Sequence, residues 1–163
     1  MRSALETGVN TSLIPFWIRI LTQIADALLY MHMNANILHN DLHVENVVLE
    51  ESLVDEDGVY NASIVHFAKA SVIGMASSRL TLNAGEVNEA IGKYPHIAPE
   101  IWRGGRHSRS SDMFSFGHLL KVVAHFLRDH CTKSFYIICK DVDPAKRPNA
   151  GSCLVYLNSY KFH

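Results

Sequence analysis

The stretch Ser111 to Leu127, SDMFSFGHLLKVVAHFL, constrains this chain more than any other. Met113, Phe114, Phe116, Leu119, Leu120, Val122, Val123, Phe126 and Leu127 leave almost no polar face on a helix. A helix that is apolar all round has to be covered on all sides. With Asp112, His118 and Lys121 inside it, the stretch is too short and too broken to span a bilayer. It therefore belongs at the centre of a folded core, with Asp112 as the cap of its first turn.

The rest of the chain has to supply that cover. At 163 residues it is one domain or part of one, and 48% hydrophobic residues are enough for a real core. A net charge of −1 gives no electrostatic footprint for nucleic acid or an anionic membrane. Arg103, Arg106 and Arg109 form only a local cluster. No apolar run reaches 18 residues, so no membrane span is expected. The start, MRSALETG, lacks the apolar segment of a signal peptide. Three Cys with no C-x-x-C pair read as reduced thiols in an intracellular, cytoplasmic protein. Ten His are many, but His39 and His43 lie on one loop and His118 and His125 on one helix. Neither pair has the Cys or carboxylate partners of a zinc site, so they read as ordinary surface or core residues.

From Thr11 to Met33 the pattern is helical. Trp17, Ile20, Leu21, Ile24, Leu28 and Met31 form one stripe, Thr11 or Ser12 can cap it, and Asn34 and Asn36 end it. The stretch ILHNDLHVENVVLE, from Ile37 to Glu50, follows. An Asp at 41 and an Asn at 46, just before the β-branched Val47 and Val48, can place a carboxylate and an amide oxygen at one rim. The carboxylate could take a proton from a hydroxyl, and the amide oxygen is a hard ligand suited to Mg²⁺. A polar loop between a helix and a strand is also an ordinary connection. Asp57-Gly58 marks a turn, and strands at Val47–Leu49 and Ser63–Phe67 make a hairpin. Lys69 to Tyr94 is weakly patterned and rich in small residues. Ser134 to Lys140 is a short amphipathic helix, and Asn149 caps a last helix reaching Ser159.

The spacing of His39, Asn40, Asp41, Leu42 and Asn46 resembles the catalytic loop of protein kinases, H-R-D-L with an Asn five residues after the Asp. Further matches follow in order. His66-Phe67-Ala68 stands where the family has D-F-G, and Ala98-Pro99-Glu100 matches A-P-E. SDMFSFG resembles the opening of the central helix of the kinase C-terminal lobe, and Asp143 to Pro148 resembles D-P-x-x-R-P. The resemblance covers about residues 11–159 and takes the whole chain, 1–163, as a partial kinase domain. It implies a mainly α C-terminal lobe with short β-hairpins at the catalytic loop. The N-terminal lobe is absent, since the chain has no Gly-rich loop and no V-A-I-K lysine.

The resemblance also implies roles. Asp41 is the base, with His43 in place of the lysine that many Ser/Thr kinases carry two residues later. Asn46 is a ligand for the metal and its nucleotide. His39 is structural, and Asp112 holds the catalytic-loop backbone. Glu100 and Arg147 form an ion pair inside the lobe. Lys69 to Tyr94 is an activation segment, with Ser71, Ser77, Ser78 and Thr81 as possible phosphosites. The usual substrate-docking helix between Asp112 and Arg147 is largely deleted. SDMFSFG leans toward tyrosine kinases and Gly92 toward Ser/Thr kinases, so the acceptor stays open.

Three departures bear on activity. His66 replaces the Asp that holds Mg²⁺, and an imidazole is a poor ligand for that ion. Ala68 replaces the Gly of D-F-G. Asn40 replaces the Arg that reads an activation-loop phosphate. The family's cofactors are ATP and Mg²⁺, and these changes argue against their binding here. The sequence thus reads as an impaired, pseudokinase-like binding module with a protein partner or substrate, and no nucleic acid or membrane. It also reads as a fragment of an active kinase, or as a degenerate copy whose exposed apolar face invites a partner or aggregation.

Overall fold

The computed structural model describes residues 13–51, 59–75, 82–128 and 130–160. It is mainly α, with short antiparallel strands, as the sequence implied. The apolar helix is at its centre: α4 runs Arg109–Leu127. Its cap is Ser108, whose side chain accepts the Ser111 amide while Ser111 Oγ accepts the Ser108 amide. This corrects the reading of Asp112 as the cap. Asp112 lies in the first turn, fully buried and free to serve other partners. The cover is also incomplete: Phe116 and Leu120 are enclosed, but Val122 and Phe126 remain 42% and 61% exposed near the helix end.

Helices α1 (Ile14–Tyr30), α5 (His130–Cys139) and α6 (Ala150–Asn158) complete the core. In α1, Ile18, Leu21, Ile24, Ala25 and Leu28 are buried, and the helix packs on α6 and on the hairpin. Trp17, expected in the stripe, is half-buried and meets Phe16 and Phe126 edge-on. Leu13 stands at the cap without a side-chain bond, and Thr11 and Ser12 lie outside the described residues. After Tyr30 the helix widens into a π-type turn, Met31–Ala35, and Asn36 ends it in the left-handed region at φ 55°. The continuous helix Ile14–Ala35 has 22 residues and contains an 18-residue stretch of mean hydropathy 1.2. By length and composition it could cross a membrane, contrary to the count of unbroken apolar runs, but its apolar stripe forms one wall of this core.

α5 starts earlier than expected and crosses α4 closely. A Cβ on Gly117 would stand 2.7 Å from Cys139 Cβ, so only glycine fits that contact. Cys139 and Cys153 are both fully buried, with their sulfurs 4.0 Å apart. That contact, together with burial, pushes the Cys153 thiol far up.

Strand β1 (Ile37–Leu38) pairs with β4 (Ser71–Val72), and β2 (Val47–Glu51) pairs with β3 (Tyr60–Ile64). Both ladders are antiparallel, and the second runs from Val47 opposite Ile64 to Glu51 opposite Tyr60. Only this second pair is a hairpin, and its Asp57-Gly58 turn lies outside the described residues. The second strand is Tyr60–Ile64 rather than Ser63–Phe67, because His66 at φ 63° cannot continue an extended chain. Gln23 on α1 accepts the Ala62 amide at 2.7 Å and ties the hairpin to the core.

The weakly patterned segment holds a helix, α2 (Ala84–Lys93), capped by Asn83 and Glu86 in a capping box. Only Val87 of α2 is buried, so the helix rests on its cap more than on packing. The short α3 (Pro99–Trp102) follows. Ser77, Ser78 and Thr81 lie outside the described residues, and Ser71 is in β4.

Urea denaturation should separate two glycines. Gly117→Ala should lower stability by about 1–3 kcal/mol through overpacking against α5. Gly92→Ala, where an added Cβ meets nothing within 4 Å, should hold stability or raise it by up to about 1 kcal/mol.

Candidate functional site

The loop from His39 to Asn46 is built around the Asp112 carboxylate. Asp112 Oδ2 accepts the His39 amide and Oδ1 accepts the Asn40 amide, each at 2.9 Å. His32 Nε2 lies 3.0 Å from Oδ2, the distance of an N–H···O bond with the proton on Nε2. His32 is buried, and its own carbonyl accepts a bond from Arg109 Nη2 at 2.9 Å. Charge-assisted bonds of this kind offset the cost of burying the carboxylate.

Held in this way, the loop turns sharply. Asn40 sits at φ 67°, and its side-chain amide donates to the Lys69 carbonyl and to Ser71 Oγ. His39 is fully buried and donates from Nε2 to the Val65 carbonyl at 3.0 Å. Its Nδ1 then carries the lone pair that faces the Asp41 amide at 3.3 Å. Leu42 anchors the loop in the core. Asn46 is buried, and its side-chain amide donates to the Asp41 carbonyl at 2.7 Å and approaches His43 Nε2 at 3.0 Å.

These bonds leave the Asp41 carboxylate pointing at three cations or potential cations. Lys69 Nζ is 2.9 Å from Oδ2, His96 Nε2 is 3.3 Å from Oδ1, and His43 Nε2 is 3.9 Å from Oδ2. Burial pushes the Asp41 carboxyl up, but the Lys69 ammonium, His96 and His43 outweigh it and hold it below the usual carboxylate value. Burial lowers His96, a drop partly opposed by its bond to Asp41. Behind it, burial and the Lys140 charge push His118 down to about 4, and its Nδ1 has no partner. A neutral His96 therefore donates to an ionised Asp41 at neutral pH.

His96 is held by the Ser115 hydroxyl, which donates to its carbonyl at 2.7 Å. Its place two residues before Ala98-Pro99-Glu100 was visible, but spacing gave no sign of its contact with Asp41. Lys69 and His32 were missed for the same reason. The structure also brings His43 beside His96, with ring centroids 4.8 Å apart. Asp41, His43 and His96 have ligand atoms all within 4.8 Å of one another. The sequence weighed only the pairs His39/His43 and His118/His125 for zinc, and the fold sets His43 beside Asp41 and His96 instead. His66 is exposed, in left-handed backbone next to Phe67, whose ring meets His39 edge-on.

The pair beneath the site is close. Arg147 Nη1 and Nη2 bond both oxygens of Glu100 at 2.7 and 2.8 Å. Nε donates to the Asp141 carbonyl and Nη1 also to Ser110. The guanidinium stands 4.9 Å from the Phe114 ring centre, and the Arg147 side chain is wholly enclosed.

Residues 16–130 match the protein kinase domain family. Among curated proteins the chain is similar to cysteine-rich receptor-like protein kinase 36 of Arabidopsis thaliana, 33% identical over 104 residues. That covers 63% of this chain and 14% of the relative. It is similar to cysteine-rich receptor-like protein kinase 7 of the same plant, 25% identical, covering 86% of this chain and 26% of the relative. It is also similar to the dual specificity protein kinase splA of Dictyostelium discoideum, 30% identical, covering 63% and 4%. The chain thus spans a small part of the curated relatives it matches. The receptor-like relatives overturn the expectation of an intracellular, cytoplasmic protein. That expectation rested on cysteine usage and the lack of an apolar run.

Arg147→Ala should destabilise the fold by about 3–5 kcal/mol, because it strands the Glu100 charge. Urea unfolding of Arg147→Ala beside the double variant Arg147→Ala/Glu100→Ala checks this, and the double variant should recover part of the loss.

Proposed function

We propose, from the premise that this chain belongs to the protein kinase family, that it is an impaired member acting as a protein-binding module. The family acts on protein substrates and uses ATP and Mg²⁺. The observation that carries the reading is His66, an imidazole in place of the metal-holding carboxylate. With Asn46 it offers one amide and one imidazole, and Mg²⁺ demands oxygen ligands in near-ideal octahedral geometry. The residues present do not fit that ion.

In this reading Asp41 is the remnant base, and Asn46 and His43 keep the places of the metal ligand and the lysine. His39, Asp112, Glu100 and Arg147 are structural. Phosphoryl transfer depends on positioning and on neutralising charge. A general base contributes about 10²–10⁴-fold, a small part of an enzyme's acceleration. Asp41 is moreover engaged by Lys69 and His96, where an acceptor hydroxyl would have to approach.

A second reading has its own support. The chain covers 14% of the first relative, so it fits a piece of a longer, active kinase that carries its nucleotide-binding lobe elsewhere. Asp41 is held ionised, the state a base requires. Under that reading the acceptor is a Ser or Thr hydroxyl, by likeness to relatives named serine/threonine-protein kinases.

Titration of the native gene product with a fluorescent ATP analogue, with and without Mg²⁺, distinguishes these readings. The first expects no Mg²⁺-dependent binding, and a gain of it in His66→Asp. No gain in that variant contradicts His66 as the main defect. Phosphoryl transfer by the native product that is lost in Asp41→Asn establishes the second reading.

A further inference from the structure

We propose that Asp41, His43 and His96 form a two-histidine, one-carboxylate site for Zn²⁺. Their ligand atoms lie within 4.8 Å of one another, from a loop and from the segment before α3 that are brought together only by the fold. Zn–N and Zn–O bonds of about 2.0–2.1 Å put neighbouring ligand atoms about 3.3 Å apart in a tetrahedron. Asp41 Oδ1 and His96 Nε2 are already at 3.3 Å, and Asp41 Oδ2 and His43 Nε2 at 3.9 Å. All three residues are partly buried, so the site is shielded on one side and open on the other. Three protein ligands with an open position for water is the pattern of zinc sites that keep a free coordination place.

The donor chemistry selects the ion. Two imidazoles and a carboxylate suit zinc and disfavour magnesium, which demands oxygen. His43 Nε2 faces the Asn46 amide N–H, so it carries a lone pair and not a proton. Zinc takes that lone pair from the Asn46 amide. His96 now donates from Nε2 to Asp41, so it binds zinc by shifting to its other neutral tautomer, with the proton on Nδ1 and the Nε2 lone pair on the ion; burial favours the neutral form. The Lys69 ammonium now on Asp41 Oδ2 is 62% exposed and can leave for water as the cation enters. His66 is not one of the three ligands, so the site stands whether or not His66→Asp gains ATP.

The test is competition of the full chain with a chromophoric zinc chelator, joined to X-ray absorption on the zinc-loaded protein. One zinc per chain is expected, with imidazole and oxygen scattering and no sulfur, and resistant to excess Mg²⁺. His43→Gln and His96→Gln should each weaken binding at least about tenfold. His125→Gln, a change at an exposed residue of α4, should leave it unchanged. Circular dichroism confirms folding of each variant, and either site variant suffices if the other fails to fold. Absence of stoichiometric zinc, a sulfur ligand, or unchanged affinity in the folded site variants overturns the proposal.

Discussion

The Asp112 carboxylate is the interaction on which the rest of the structure depends. It is fully buried at the start of the central helix and reaches the backbone of His39 and Asn40 and the ring of His32. A charge in such a place is tolerated only when its oxygens are all engaged. Here that demand shapes the chain. The π-type turn after α1 brings His32 to Asp112, the left-handed Asn40 follows from two successive amides aimed at one carboxylate, and Asp41 is thereby turned out of the core. Leu42, sunk among the core side chains, fixes the other end of the same turn.

The site that results is rich in imidazole and poor in oxygen. His43 and His96 stand beside the Asp41 carboxylate, with the Lys69 ammonium on its other side. The frame of the lobe lies elsewhere. Asp112, the bidentate Arg147–Glu100 pair and the α4–α5 contact through Gly117 hold the fold without help from Asp41 or His66. Scaffold and candidate site are thus separable in this architecture.

The sequence made the scaffold readable because its signals are local. The all-apolar run of α4, the stripe of α1, Asn149 before α6 and the spacing of Asp41 and Asn46 each follow from short-range chemistry. The errors arose where long-range geometry decides. Ser108 took the cap expected of Asp112, whose oxygens are claimed by a loop far along the chain. The strand expected to reach Phe67 stopped at Ile64, since nothing in the residue types announces positive φ at His66. α2 was overlooked although Asn83 and Glu86 carry a capping signature, because it is short, has few large apolar residues and buries only Val87. His96 and Lys69 could not be assigned to the site, because the contacts that bring them to Asp41 span many residues of chain.

Amide hydrogen exchange at His39 and Asn40, compared between the native chain and Asp112→Asn, tests the central claim most directly. An asparagine keeps one acceptor oxygen and loses the charge and the other. The account predicts protected amides at both residues in the native chain. In the variant, protection should fall at least about tenfold at one or both, as for a lost buried bond to a charged acceptor, while α1 and α4 stay protected. Equal protection in the two proteins would contradict it, and would mean that the loop is held by its own side chains and not by the carboxylate beneath it.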